Sequence, residues 1–203
     1  MADQRNVTFA ITGAGGTRVA RYVLESLVKD DLVDRVDLIV SATGRKIIAH
    51  ETGLDSVGEA VEMVLGGPSP KVVNWDPEDL AGGPTSGSYP SWGMLVVPCA
   101  LGVVGRIAHG TANTLIERAA DVTLKERRTL VLLFRETPLH LGQIRLMAQA
   151  TEAGAIVMPP VPAFYHRPRT IDDIVDQTVG RALDQLGFET AEVSRWSGRP
   201  PKL

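Results

Sequence analysis

Cysteine is almost absent from this sequence. Cys99 stands alone, so no disulfide can form within the chain, which fits a reducing compartment. There is also no long apolar run: none approaches the ~20 residues of a membrane-spanning helix. The opening "MADQRNVTFAIT" has neither a basic leader nor an extended apolar stretch, so a secretory signal is not expected. A soluble, cytoplasmic protein is expected. Excess charge is lacking too. The net charge of -3 does not suggest nucleic acid as the main partner, and none is expected. The four histidines, His50, His109, His140 and His166, show no metal-ligand spacing, so no metal site is expected. Repeats and low-complexity tracts are missing as well.

What is there is ordinary in amount and regular in order. The 203 residues suffice for one domain with a sizeable core, or at most two small ones. Short apolar runs recur at 7–12, 36–41, 71–76, 94–99, 129–134 and 155–161. Most are continuous rather than alternating, as in strands buried on both faces of a parallel sheet. Helical patterns lie between them. Val19, Tyr22, Val23 and Leu27 share one face, as do Leu141, Ile144, Met147 and Ala148, with Gly154 as a stop. Residues 102–126 read as one long helix of small residues, and 170–188 as another, with Asp172 and Asp173 in its first turn. This alternation predicts a doubly wound α/β sheet whose ligand-binding loops gather at the carboxyl ends of the strands. The stretch 77–93, rich in Gly, Ser and Pro, is expected to be a long functional or mobile loop.

The strand ends carry the candidate chemistry. "ITGAGG" places Gly13, Gly15 and Gly16 where backbone N–H groups can meet an anion at a helix start. It is not a dinucleotide fingerprint, because Arg18 stands where a third glycine would fall. A tight turn without ligand is the equal alternative. Ser41, after the second strand, can face a ligand or cap its own helix. Glu51 reads locally as a solvated helix end, and Cys99 as a core residue. The run Leu130–Phe134 exits at once into Arg135 and Glu136. Arg118 and Lys125, seven residues apart, lie on a similar helix face. Taken alone, these charges favour a surface ion-pair lattice, each pair contributing little. Phe164 and Tyr165 follow three prolines and can wall an apolar pocket, or merely staple a loop.

At these residues the sequence resembles the flavin prenyltransferases of the UbiX family. The stretches "ERAADVTLKERR", "RETPLHLGQIRLM" and "PVPAFYHRPRTIDD" are specific to it; "SGSYPSWGMLVVPC" and "ITGAGG" fit with lower specificity. The resemblance implies a three-layer, doubly wound parallel sheet of Rossmann or flavodoxin-like type flanked by helices. It implies a single domain over 1–203, with a tail from about 189 that packs only through Trp196 or on a neighbour. The implied activity is that of a transferase needing no metal. It joins a dimethylallyl group from dimethylallyl phosphate to reduced FMN, at N5 and then C6. The product, prenylated FMN, is the cofactor of a separate UbiD-type decarboxylase. A homo-oligomer, a dodecamer with sites shared between subunits, is implied too.

Residue by residue, the resemblance assigns Gly13, Ala14, Gly15, Ser41 and Arg135 to FMN, together with Ala100, Leu101, Gly102 and Val103 of the "CALGV" turn. Lys125, Tyr165 and Arg181 would hold the prenyl phosphate, with Arg118 and Glu51 in the same polar shell and Trp92 and Trp196 helping to close the pocket. Glu136, Lys125 and Glu51 would be catalytic, Glu136 as proton donor. These groups are expected to converge in a dry pocket over the flavin. Cations would stabilise the leaving phosphate, an acid would protonate it, and an aromatic face would favour the allyl cation. Three hydroxyls usual in the family are absent. Gly15 replaces Ser in its "GASG" loop, and Ala100 and Val103 replace Ser and Thr after the fourth strand. Each lost hydrogen bond is expected to weaken binding by about 1 kcal/mol. Two other readings compete. A flavin-dependent cysteine decarboxylase would need a catalytic histidine after the first helix and a "PASANT"-like turn, and neither is found. A non-catalytic or altered-specificity FMN carrier is prompted by the missing hydroxyls.

Overall fold

Six parallel strands form one sheet in a computed structural model that describes residues 5–54, 62, 67–190, 193–196 and 198. The strands are β1 (Arg5–Ile11), β2 (Val33–Val40), β3 (Val72–Trp75), β4 (Gly93–Cys99), β5 (Thr129–Phe134) and β6 (Ile156–Val157). The helices are α1 (Thr17–Lys29), α2 (Ala42–Thr52), α3 (Leu101–Ala108), α4 (Leu115–Lys125), α5 (Leu141–Glu152) and α6 (Ile171–Gln185). The sheet order is β3-β2-β1-β4-β5-β6, the doubly wound arrangement. The chain winds outward from β1 in one direction, returns, and winds outward from β4 in the other. Strand order therefore reverses between β1 and β4, and a crevice opens at their carboxyl ends.

The continuous apolar runs are explained by burial on both faces. Phe9, Ile11, Leu38, Leu95 and Leu133 face one core, together with Leu24, Leu27 and Leu183 from α1 and α6. Ala10, Ile39, Met94, Leu132 and Phe134 face the other, together with Val104, Ile116 and Ala150 from α3, α4 and α5. Fully burying an aliphatic side chain of this size contributes about 1.5–3 kcal/mol, so two such faces fix the sheet and the helices on it. Cys99 is fully buried, and burial pushes its thiol well above the ordinary value.

Two expectations are corrected. Residues 102–126 are not one helix. α3 ends at Ala108, Gly110 takes a left-handed φ of 64°, and α4 starts at Leu115. The sixth apolar run is mostly loop, with only Ile156–Val157 paired to β5. α2, which local pattern signalled only at its ends, by Ser41 and Glu51, is a full helix of 11 residues. The segment between β3 and β4 is pinned at several points. The Tyr89 hydroxyl and the Trp75 indole each donate to Asp37 at 2.9 Å, and Arg35 pairs with the same fully buried carboxylate at 3.1 Å. Burial, then the bond to Asp37, pushes the Tyr89 hydroxyl up to about 12. Among the described residues, no helix is long and apolar enough to cross a membrane.

Candidate functional site

The crevice at the strand-order reversal is built from four chain turns. Thr12 closes β1, and its hydroxyl donates to the Pro98 carbonyl at 2.8 Å while accepting from Ala100 N–H at 2.8 Å. Those bonds tie the β1 exit to the β4 exit. Beside them lies a cavity of about 280 Å³, lined among others by Gly13, Ser41, Thr43, Ala100, Val103 and Arg106. Gly102 also lines it, and the turn's Leu101 begins α3. Ser41 caps α2, its hydroxyl accepting from Gly44 N–H at 2.9 Å, and it also lines the cavity.

The backbone of the first loop is closely approached. A Cβ at Gly13 would stand 2.4 Å from the Thr43 methyl. One at Gly15 would stand 2.6 Å from Arg135 Nη2 and 2.8 Å from Glu51 Oε1. Arg135 Nε also donates to the Gly15 carbonyl at 3.3 Å. Thus Gly15, Arg135 and Glu51 meet, as expected, although Glu51 and Arg135 lie 36 and 120 residues from Gly15 along the chain. Glu51 is not an idle helix end. Its carboxylate accepts from Gly16 N–H at 3.0 Å and Thr17 N–H at 2.7 Å, filling the positive end of α1. The anion site suspected at that helix start is therefore taken by the protein's own carboxylate. Ala14 is nearly buried, its N–H bonded to Thr12 O. Small residues at Gly13, Ala100 and Gly102 leave bare walls in the crevice cavity, and Ser41 and Arg106 supply polar groups, as a flat ring bearing a phosphate would need.

The rest of the expected cluster does not converge within one chain. Tyr165 and Arg181 do meet, around a second cavity of about 170 Å³. Tyr165 donates to Ser194 O at 3.2 Å, accepts from Gln177 at 2.8 Å, and meets Trp196 edge-on at 6.3 Å. Arg181 binds Asp184 at 2.9 Å. Burial pushes the Asp184 carboxyl up, but Arg195 and Arg181 outweigh it and hold the group below the ordinary carboxylate value. Arg118 and Lys125 form a separate group on α4, with Arg118 bound to Asp121 at 2.6 Å and Lys125 to Glu126. Lys125 precedes β5 and Glu136 follows it. A six-residue strand, roughly 20 Å at about 3.3 Å per residue, lies between them. Glu136 and Arg135 are exposed rather than dry, and among the described residues Glu136 accepts only from the neighbouring Thr137 N–H, at 3.2 Å. Trp92 does not reach the crevice in its own chain. It precedes β4, at the amino edge of the sheet, where its indole donates to Leu186 O at 2.6 Å under the Arg5 guanidinium.

Sequence reasoning missed Thr12, Thr43, Arg106 and Glu117. Glu117 is 2% exposed; it accepts from Arg106 Nε at 2.8 Å and from Thr114 N–H at 2.8 Å.

Comparison with known proteins places this geometry. The family model described as Flavoprotein matches residues 1–183. The flavin prenyltransferase UbiX of Salmonella typhimurium is 42% identical over 196 residues, covering 96% of this chain and 99% of the relative. The chain belongs to the UbiX flavin prenyltransferase family. Its backbone agrees: a crystal structure of AnUbiX (PadA1) in complex with FMN and dimethylallyl pyrophosphate is 38% identical, with a TM-score of 0.84 over 97% of this chain and 99% of that one. The dodecameric FMN-dependent UbiX-like decarboxylase from Escherichia coli O157:H7 is 35% identical, with a TM-score of 0.83 over 95% and 100%. The missing serine of the family's first loop also has a local counterpart here. The space a side chain at Gly15 would need is held by the ends of Arg135 and Glu51.

Proposed function

We propose that this chain is a flavin prenyltransferase. It joins a dimethylallyl group from dimethylallyl phosphate to N5 and C6 of reduced FMN and releases prenylated FMN for a UbiD-type decarboxylase. The observation that carries the reading is the β1/β4 crevice, with Arg135 and Glu51 gathered at Gly15, in a chain 42% identical to a UbiX enzyme over nearly its whole length. The lone cysteine, which allows no disulfide within the chain, supports a cytoplasmic location.

In this reading Gly13, Ala14 and Gly15 line the ring edge of FMN, with Ser41, Arg135 and the Ala100–Val103 turn around it. Reduced FMN, when bound, supplies the nucleophilic nitrogen. The chain's own groups handle the leaving phosphate. Lys125, Arg118, Arg181 and Tyr165 hold its oxygens, so that the charge left when the allylic C–O bond breaks meets fixed cations. Glu136 gives a proton to the departing oxygen. Glu51, already beside the first loop, is placed to exchange a proton at the flavin edge. Because Lys125 and Glu136 lie at opposite ends of β5, the site is completed by neighbouring subunits in a homo-oligomer. A dodecamer like that of the E. coli relative is the proposed assembly. Exposed apolar side chains support it: Leu141, Ile144, Val161, Phe164, Ile171 and Trp196 are all at least half exposed in the single chain. Trp92 enters the site only if a neighbour's surface presents it.

Anaerobic incubation with reduced FMN and dimethylallyl phosphate tests the reading. The expected product is a flavin heavier by one C5H8 unit, with one phosphate released per flavin modified. Tight FMN binding without a mass change would instead establish a flavin carrier. Glu136→Gln is expected to retain FMN and slow turnover by about 100-fold, the scale of a lost general acid. Unchanged turnover would remove the proton-donor role.

A further inference from the structure

We infer that Arg106 is the phosphate anchor of the flavin site and that the buried Glu117 aims it. This rests on the reading of the crevice as an FMN site. Arg106 is the only cationic side chain among the described residues lining the crevice cavity. Its Nε is fixed to Glu117 Oε1 at 2.8 Å, while its two terminal nitrogens make no hydrogen bond among the described residues. Nη1 projects along the α3 start, 3.4 Å from where a Cβ on Gly102 would sit. Glu117 is ion-paired with Arg106 through one oxygen, and its other oxygen is used by the Thr114 N–H and hydroxyl, so the terminal N–H groups of the guanidinium are left for a ligand. Glu78, the other acid on the lining, is an exposed residue at the rim.

Two further observations locate the phosphate here. The α1 start, the other obvious anion site, is filled by the Glu51 carboxylate. The turn around Ala100 and Val103 offers no side-chain hydroxyl, and no side chain caps α3. A guanidinium with free terminal N–H groups beside that turn restores donors suited to a phosphate, whose oxygens accept two parallel bonds from one Arg.

The test compares FMN with riboflavin, the same flavin without phosphate, by fluorescence titration of the full-length protein. The native chain is expected to prefer FMN. Arg106→Met should weaken FMN binding by at least about tenfold while leaving riboflavin within about twofold, and should flatten the salt dependence of FMN binding. Arg106→Lys should fall between. Because Arg106→Met leaves the buried Glu117 carboxylate without its cation, Arg106→Met/Glu117→Gln is measured beside it as a variant with no unpaired buried charge. An unchanged FMN-to-riboflavin ratio in a folded Arg106→Met or double variant overturns the anchor while leaving the FMN site intact. A native chain that binds neither flavin overturns both.

Discussion

Glu51 offers a sharp perturbation, because a carboxylate supplied from the end of α2 replaces the missing side-chain cap of α1. Gly16, the residue before α1, has no side chain to accept from the first turn, and Glu51 does so from 35 residues away. Glu51→Ala would strip the acceptor from the Gly16 and Thr17 N–H groups. Loss of an N-terminal cap costs about 1 kcal/mol, and loss of a charge at a helix start about 0.3–1 kcal/mol. The residue is exposed, so water can take up the freed donors and the full strength of a buried charged bond does not apply. A loss of about 1.5 kcal/mol is expected. For a chain of 203 residues that lowers Tm by roughly 3–6 °C. Glu51→Gln keeps an acceptor oxygen and loses only the charge, so its drop should be about half as large. Thermal unfolding at fixed protein concentration measures both. Phosphate added to Glu51→Ala should recover part of the loss, since an emptied helix start accepts an anion. A Tm for Glu51→Ala within about 1 °C of the native value would refute the reasoning.

Two other outcomes are expected. Tyr89 has its hydroxyl pKa raised by burial and by Asp37, so the folded state favours the neutral phenol. Its stabilising effect is complete below the unfolded value near pH 10 and is lost as pH rises toward about 12. Unfolding free energies from urea titration should therefore fall between about pH 10 and 12 in the native chain, by roughly 1–2 kcal/mol after allowing for partial exposure, and less in Tyr89→Phe. Equal falls in the two proteins would deny the Asp37 coupling. For the shared site, co-assembly of Lys125→Ala with Glu136→Gln chains should restore about one quarter of native activity, since random mixing of two-chain sites leaves that share intact. No recovery on mixing would mean that each chain supplies both groups to its own site.

Much of the fold was legible because two-sided burial writes itself into composition. "VTFAI", "MLVVPC" and "TLVLLF" are apolar without alternation, and each is a strand covered on both faces. The break in the fourth crossover was not legible. Apolar spacing continues smoothly from Val104 to Val122, and only Gly110 with the Thr114–Glu117 cap marks the turn. That single misreading hid Arg106. In a continuous helix, residues 106 and 117 would stand about 16 Å apart at about 1.5 Å per residue. Folded back at 109–114, they touch at 2.8 Å. Glu51 was hidden differently: a helix-end glutamate looks solvated until the tertiary fold brings another helix's free N–H groups to it.

The remaining gap between sequence and single chain is physical rather than a matter of reading. Consecutive charges such as Arg135 and Glu136 leave a buried strand together because the strand ends there, and the same geometry sends Lys125 to the other end of that strand. A doubly wound sheet cannot bring both ends of one strand to a common point. On the proposed function, Lys125 and Glu136 therefore meet across a boundary between chains. The exposed Leu141 and Ile144 follow β5 on the carboxyl side, where Arg135 and Glu136 emerge, and the exposed Phe164 follows β6. Their burial against a second subunit would exclude water from that pair. Both the attraction between the charges and a leaving phosphate, and the acidity of Glu136, would then be tuned by association rather than by the fold of one chain.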